Sequence, residues 1–196
     1  HHLSPNPGED FQMFEKDLPG KGTKDFATSA DDIGNLPLEV CETINGSWGF
    51  NLKDRKHKSE KELVQYLVKA AGYGSNLLLN VGPMPNGKIQ DEHIESLKKI
   101  GKWVKQNGQT IYNTKRGPIS PSDEIASTQD GNIVYIHLLD NNKSEYFIEG
   151  FKSKFKNISY LDSNKKVSYK KTKTGLHLIL DKKEINSIDT ILIMEL

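Results

Sequence analysis

A single cysteine, Cys41, stands in the 196 residues of this chain, so neither an intramolecular disulfide nor a cysteine-built metal site can form, and the redox compartment stays open. Long apolar runs are missing as well: nowhere do about 18 consecutive apolar residues occur, the length a helix needs to cross a bilayer. Neither sign of charge is in excess, with 27 Lys and Arg against 26 Asp and Glu and a formal net charge of +1. That balance removes the electrostatic case for nucleic acid or a membrane surface as partner. The opening residues HHLSPNP have neither the basic nor the apolar region of an export signal, and His1 and His2 read either as native or as the remnant of a tag. His57, His93, His137 and His177 have no ligand spacing, so no metal or cofactor is expected.

What is present is ordinary globular chemistry. Hydrophobic residues make up 35% of the chain, which excludes a disordered tail, and the length suits one large or two small domains with a real core. Residues 1 to 35 are rich in turn formers and read as a long loop system around one short extended piece near Phe11 to Phe14. Leu38 to Thr43 alternates Leu38 and Val40 against Glu39 and Cys41, the pattern of a strand facing two environments. Ser59 with Glu62 makes a capping box, and Leu63, Leu67, Ala70 and Ala71 continue at helical spacing to Gly72 and Gly74. Asn76 to Val81 is a continuous apolar run that predicts a fully buried parallel strand. A second helix starts at Asp91, with Ile94, Leu97, Gly101 and Val104 on one face and Asn107-Gly108 as its stop. Helix, buried strand, helix is the rhythm of an α/β fold.

Beyond Arg116-Gly117-Pro118 the texture changes to short β-type runs: Ile133 to Leu139, Tyr146 to Ile148, Ile158 to Leu161, Lys166 to Lys170, Gly175 to Leu180 and Thr190 to Met194. Turn dipeptides separate them at the spacing of an all-β sandwich. The expected organisation is therefore an α/β domain over 1–117 and a β-sandwich over 118–196.

The residues that offer chemistry are the carboxylates of the first fifty positions, Glu9, Asp10, Glu15, Asp17, Glu39 and Glu42. A retaining glycosidase needs two carboxyl groups, one as nucleophile and one as acid and then base; spacing alone does not choose among the six. Two segments narrow the choice. Leu38-Glu39-Val40-Cys41 with Ser47-Trp48-Gly49-Phe50-Asn51, read together with Ser75 to Gly87 (SNLLLNVGPMPNG), resembles the C-terminal part of α-L-fucosidases. The resemblance covers about residues 9 to 117 and departs from the family pattern at Leu38, where a tryptophan is usual.

That resemblance implies a (β/α)₈-type barrel whose last part lies in 1–117, followed by a β-sandwich domain, and a substrate site at the C-terminal ends of the barrel strands. It implies retaining hydrolysis of terminal α-L-fucose from a fucosylated oligosaccharide or glycoconjugate, without nucleic acid or membrane. Counting back from the motif places Glu15 at the acid/base position, against the plainer reading of a loop salt-bridge partner. Trp48 falls at the aromatic position beside the fucose ring, though a tryptophan between Ser47 and Gly49 fits plain core equally well. Glu39 takes the motif glutamate, read as a supporting carboxylate on a buried strand, and Cys41 the motif cysteine, read as a small buried hydrophobe. Gly82 and Pro83 are assigned to turn geometry. A whole barrel needs about 250 residues, so the nucleophilic aspartate is expected upstream of His1, and this chain is expected to be an inactive fragment of the enzyme. The alternative is a noncatalytic carbohydrate-binding or degenerate fucosidase-like protein. Export to the periplasm or the exterior follows only from the resemblance.

Overall fold

The computed structural model describes residues 8–19 and 35–196. The expectations for residues 1–7, His1 and His2 among them, and for residues 20–34 lie outside the described residues. The chain divides into two compact units between Gly108 and Gln109.

The first unit contains β1 (Gln12–Glu15), β2 (Leu38–Thr43), helix α1 (Glu60–Gly72), β3 (Ser75–Asn80) and helix α2 (Asp91–Asn107). The strands form one three-stranded sheet in the order β1-β2-β3. Both pairings are parallel, with Glu15 opposite Cys41 and Thr43 opposite Asn80. Phe14 of β1, Leu38 and Val40 of β2 and the following Leu18 pack with Ala70 of α1, flanked by Tyr66, Tyr73 and Leu77. Helix α1 starts where the capping box places it, Ser59 N–H donating to Glu62 Oε2 at 2.7 Å and Glu62 N–H to Ser59 Oγ at 3.2 Å. It ends before Gly74, whose φ of 73° lets the chain reverse into β3 at no steric cost.

Two expectations for this unit are corrected. Strand β3 is parallel but not fully buried: Leu78 is 48% exposed, because its face of the sheet lies opposite the helix-side core. In α2 the buried residues are His93 and Trp103, whereas Leu97 and Gly101 are exposed. Of the expected stripe Ile94 and Val104 are half-buried, beside Ser96 and Ile100, so the inward face is centred on His93 and Trp103 rather than on Leu97 and Gly101.

The second unit contains β4 (Lys115–Arg116), β5 (Ile125–Asp130), β6 (Ile133–Leu138), β7 (Glu145–Glu149), β8 (Asn157–Tyr160), β9 (Ser168–Lys171), β10 (Gly175–Ile179) and β11 (Thr190–Glu195). They make two sheets, β7-β10-β9 and β4-β5-β6-β11-β8, antiparallel throughout. Ile136 and Leu138 of β6, Leu192 and Met194 of β11, Ile148 of β7 and Leu176 and Leu178 of β10 share one apolar core. An α/β unit is thus followed by an all-β unit built of two facing sheets.

Strands β4 and β5 carry no apolar alternation in the sequence. In β5 the buried Ser127 and Thr128 satisfy their hydroxyls locally, Ser127 Oγ donating to Ile119 O at 2.9 Å and Thr128 Oγ1 to Thr110 O at 2.6 Å. The Arg116-Gly117-Pro118 marker falls inside this unit, beginning at the last residue of β4. A Cβ on Gly117 would stand 2.7 Å from the Ser127 carbonyl carbon, so only glycine allows the chain to pass.

Candidate active site

Side chains alternate across a strand, so the face of the first sheet opposite the helix-side core carries Met13 and Glu15 from β1, Glu39, Cys41 and Thr43 from β2, and Asn76, Leu78 and Asn80 from β3. Glu15, Thr43 and Asn80 are the last residues of their strands. In parallel sheets the C-terminal strand ends are where backbone groups run out of ladder partners and loops converge, and ligands bind there.

The loop from Ile44 to Lys58 closes over these ends. Trp48 Nε1 donates to Glu15 Oε1 at 2.9 Å, and Asn80 Nδ2 donates to Trp48 O at 2.7 Å. One tryptophan therefore ties the end of β1 to the end of β3. The residue remains 37% exposed. Lys16, with φ of 59°, donates from Nζ to Gly46 O at 2.7 Å and lies 5.0 Å from the centre of the Trp48 ring. Gly82 is needed for close approach: a Cβ there would be 2.5 Å from Gly49 C and 2.6 Å from Phe50 N. The strand β3 exit thus presses on the residues that follow Trp48, a tertiary requirement where the sequence suggested only a turn.

The loop holds its own shape. The Ser47 hydroxyl, assisted by backbone hydrogen bonds at Gly46, Ser47 and Lys56, keeps the Asp54 carboxyl below the usual aspartate range. At the loop base Lys58 donates to Thr43 O at 2.7 Å and pairs with Glu42 at 3.3 Å. Glu42 is 6% exposed and also accepts from Thr43 N–H. That candidate carboxylate is therefore committed to closing the loop, on the face of β2 that packs toward the helix.

Glu39 is half-buried on the same face as Glu15, one strand over and away from the strand end. Between them Cys41 is half-buried, its Sγ 3.6 Å from Phe14 O. Burial raises the Cys41 thiol above its usual range, and the charges of Glu15 and then Glu39 add to the rise. The thiol stays protonated and inert, and it reports two carboxylates converging on one strand face. Of the remaining acids, Glu9 and Asp10 precede β1 and Asp17 follows it. Lys16, Lys58 and Asn80 were not singled out by residue pattern; Asn80 alone had a signal, as the polar end of the NLLLNV run.

A family model described as Alpha-L-fucosidase matches residues 1–109. The plasma alpha-L-fucosidase of Homo sapiens is 39% identical over 79 residues, 39% of this chain and 17% of that protein. Among solved structures, alpha-L-fucosidase isoenzyme 1 from Paenibacillus thiaminolyticus superposes with a TM-score of 0.77 and 27% identity, covering 95% of this chain and 45% of that one. The Thermotoga maritima alpha-fucosidase in complex with fucose superposes with a TM-score of 0.76 and 26% identity, covering 97% of this chain and 43% of that one. The chain spans less than a quarter of the curated relative and less than half of each solved structure. With a family match over more than half of its residues, this chain belongs to the alpha-L-fucosidase family.

Proposed function

We propose that this chain is the C-terminal part of an exo-α-L-fucosidase that removes terminal α-L-fucose from fucosylated oligosaccharides or glycoconjugates with retention. The observation that carries the reading is the 2.9 Å hydrogen bond from Trp48 Nε1 to Glu15 Oε1 at the C-terminal ends of parallel strands. It supports Glu15 as the acid/base and Trp48 as a substrate-binding residue. In this reading the first unit, up to Gly108, is the closing part of a (β/α)₈-type barrel and the second unit, from Gln109, its β-sandwich domain, with the nucleophilic aspartate upstream.

Glu15 in its protonated form gives a proton to the glycosidic oxygen as the C1–O bond breaks and the aspartate bonds to C1. Ionised Glu15 then takes a proton from water as the water oxygen bonds to C1 and the aspartate leaves; two inversions give net retention. Trp48 holds the carboxylate by its indole N–H and offers its exposed ring to the apolar deoxy edge of fucose. Glu39 is a supporting carboxylate deeper on the same face.

The test is Glu15→Gln in the complete gene product. Turnover of natural fucosylated glycans should fall by about 10²- to 10⁴-fold with the fold intact, and added azide, which needs no base, should recover turnover of fucosides with good leaving groups. An unchanged rate removes Glu15 from the role. Fucose binding without turnover by the wild-type protein moves it to the carbohydrate-binding class.

A further inference from the structure

We propose that Lys16 is a positioning residue of this site: its ammonium group holds Trp48 and the turn at Gly46 so that the indole N–H meets Glu15. The proposal rests on the reading of Glu15 and Trp48 given above.

Lys16 directly follows Glu15. Its backbone N–H donates to Cys41 O at 2.8 Å, which carries the β1–β2 pairing one step past the strand. Continued alternation would send residue 16 to the helix-packed face, away from Glu15. Instead φ is 59°, the left-handed region that an L side chain enters at a cost. That conformation breaks the alternation and brings both side chains to the same loop.

The ammonium then makes two contacts across a long sequence separation. It donates to Gly46 O at 2.7 Å and stands over the Trp48 indole at 5.0 Å from the ring centre. The first fixes the turn two residues before the tryptophan and the second draws the ring's electron-rich face toward the cation. Trp48 is anchored on its backbone by Asn80 and on its ring edge by Glu15, and Lys16 adds a constraint on the ring face. A residue in a costly backbone conformation that makes these contacts at a strand end is explained by the geometry it imposes on its neighbour.

Three variants separate the side chain from the backbone. Lys16→Gly suits the left-handed backbone better than lysine and removes the ammonium; Lys16→Met keeps the apolar stem; Lys16→Arg keeps a cation. One readout is the Trp48 indole N–H resonance of this chain, identified by its loss in Trp48→Phe. The other is kcat/KM of the complete gene product toward an aryl α-L-fucoside. In the Gly and Met variants the resonance should shift and exchange faster with solvent, and kcat/KM should fall about two- to tenfold, while Arg restores both. A resonance and kcat/KM left in place in the Gly and Met variants, or an Arg variant no better than Met, overturns the proposal. A gene product without fucoside turnover removes the catalytic reading instead, and the indole resonance then still decides whether Lys16 holds Trp48.

Discussion

Trp48 does two separable jobs in the geometry described: its ring is a flat exposed surface and its N–H is a donor to Glu15. Trp48→Phe keeps the first and deletes the second. A hydrogen bond to a charged acceptor contributes about 1.5–3 kcal/mol, so the kcat of the complete gene product toward natural glycans should drop roughly tenfold or more while KM changes less; equal activity would detach the indole N–H from Glu15's task. At this scale the sequence pointed to Glu15 and Trp48 through a motif resemblance, because neither residue's spacing distinguishes it from other acids and aromatics. It gave no sign of Lys16, whose relevance arises from a backbone conformation and from partners 30 residues away. Glu42 shows the reverse: it is chemically as eligible as Glu15, yet the strand period turns it toward the helix side, where Lys58 and the Thr43 N–H occupy it.

Among the elements, α1 was legible to the residue because its N-terminus is set by local hydrogen bonds between Ser59 and Glu62. Helix α2 was legible in extent and only partly in orientation, since Ile94 and Val104 turn half inward while Leu97 and Gly101 stay exposed. Its buried stripe is anchored by His93 and Trp103, and apolar counting favours Ile94 and Leu97 because it gives a histidine no weight. His93 is 1% exposed with neither ring nitrogen hydrogen-bonded among the described residues, edge-on to His57 at 5.3 Å. Burial, then the charge of His57, lowers its pKa, against the weaker opposing pull of Glu92 and Asp54. The sign follows from the neutral ring being the buried form: as pH falls the unfolded chain takes up a proton before the folded one, so the stabilisation is whole above about 6.5 and declines as pH falls toward the folded-state value. The thermal midpoint should therefore fall between pH 7.5 and 5.5, and His93→Leu should flatten that slope. An identical slope in the variant would place the titrating group elsewhere. Strand β5 escaped notice for a related reason: Ser127 and Thr128 are buried but polar, and become acceptable core residues only through acceptors at Ile119 and Thr110.

For the molecule as a whole, the all-β unit has a core of its own, with Leu192 and Met194 of β11 at 0% exposure among residues from both sheets. Residues 109–196 expressed alone should unfold in one cooperative urea transition, and Leu192→Ala should destabilise that transition by about 2–5 kcal/mol; a non-cooperative isolated unit would show that this core is insufficient. Much of this architecture was readable beforehand. Alternation in Leu38 to Thr43, the capped helix and the evenly spaced β-type runs each record which side of a local element meets apolar surroundings, and they give a parallel α/β unit followed by antiparallel strands. The family was readable from the two motif segments. What the tertiary structure alone decided is which distant residues meet: Glu15 with Trp48, Trp48 with Asn80, Lys16 with Gly46, and Gly82 against the backbone at Gly49. The physical reason is that periodicity encodes burial within one element, whereas a site is made where the ends of several strands and one loop converge. That convergence depends on strand register and close backbone packing, for which no local pattern exists.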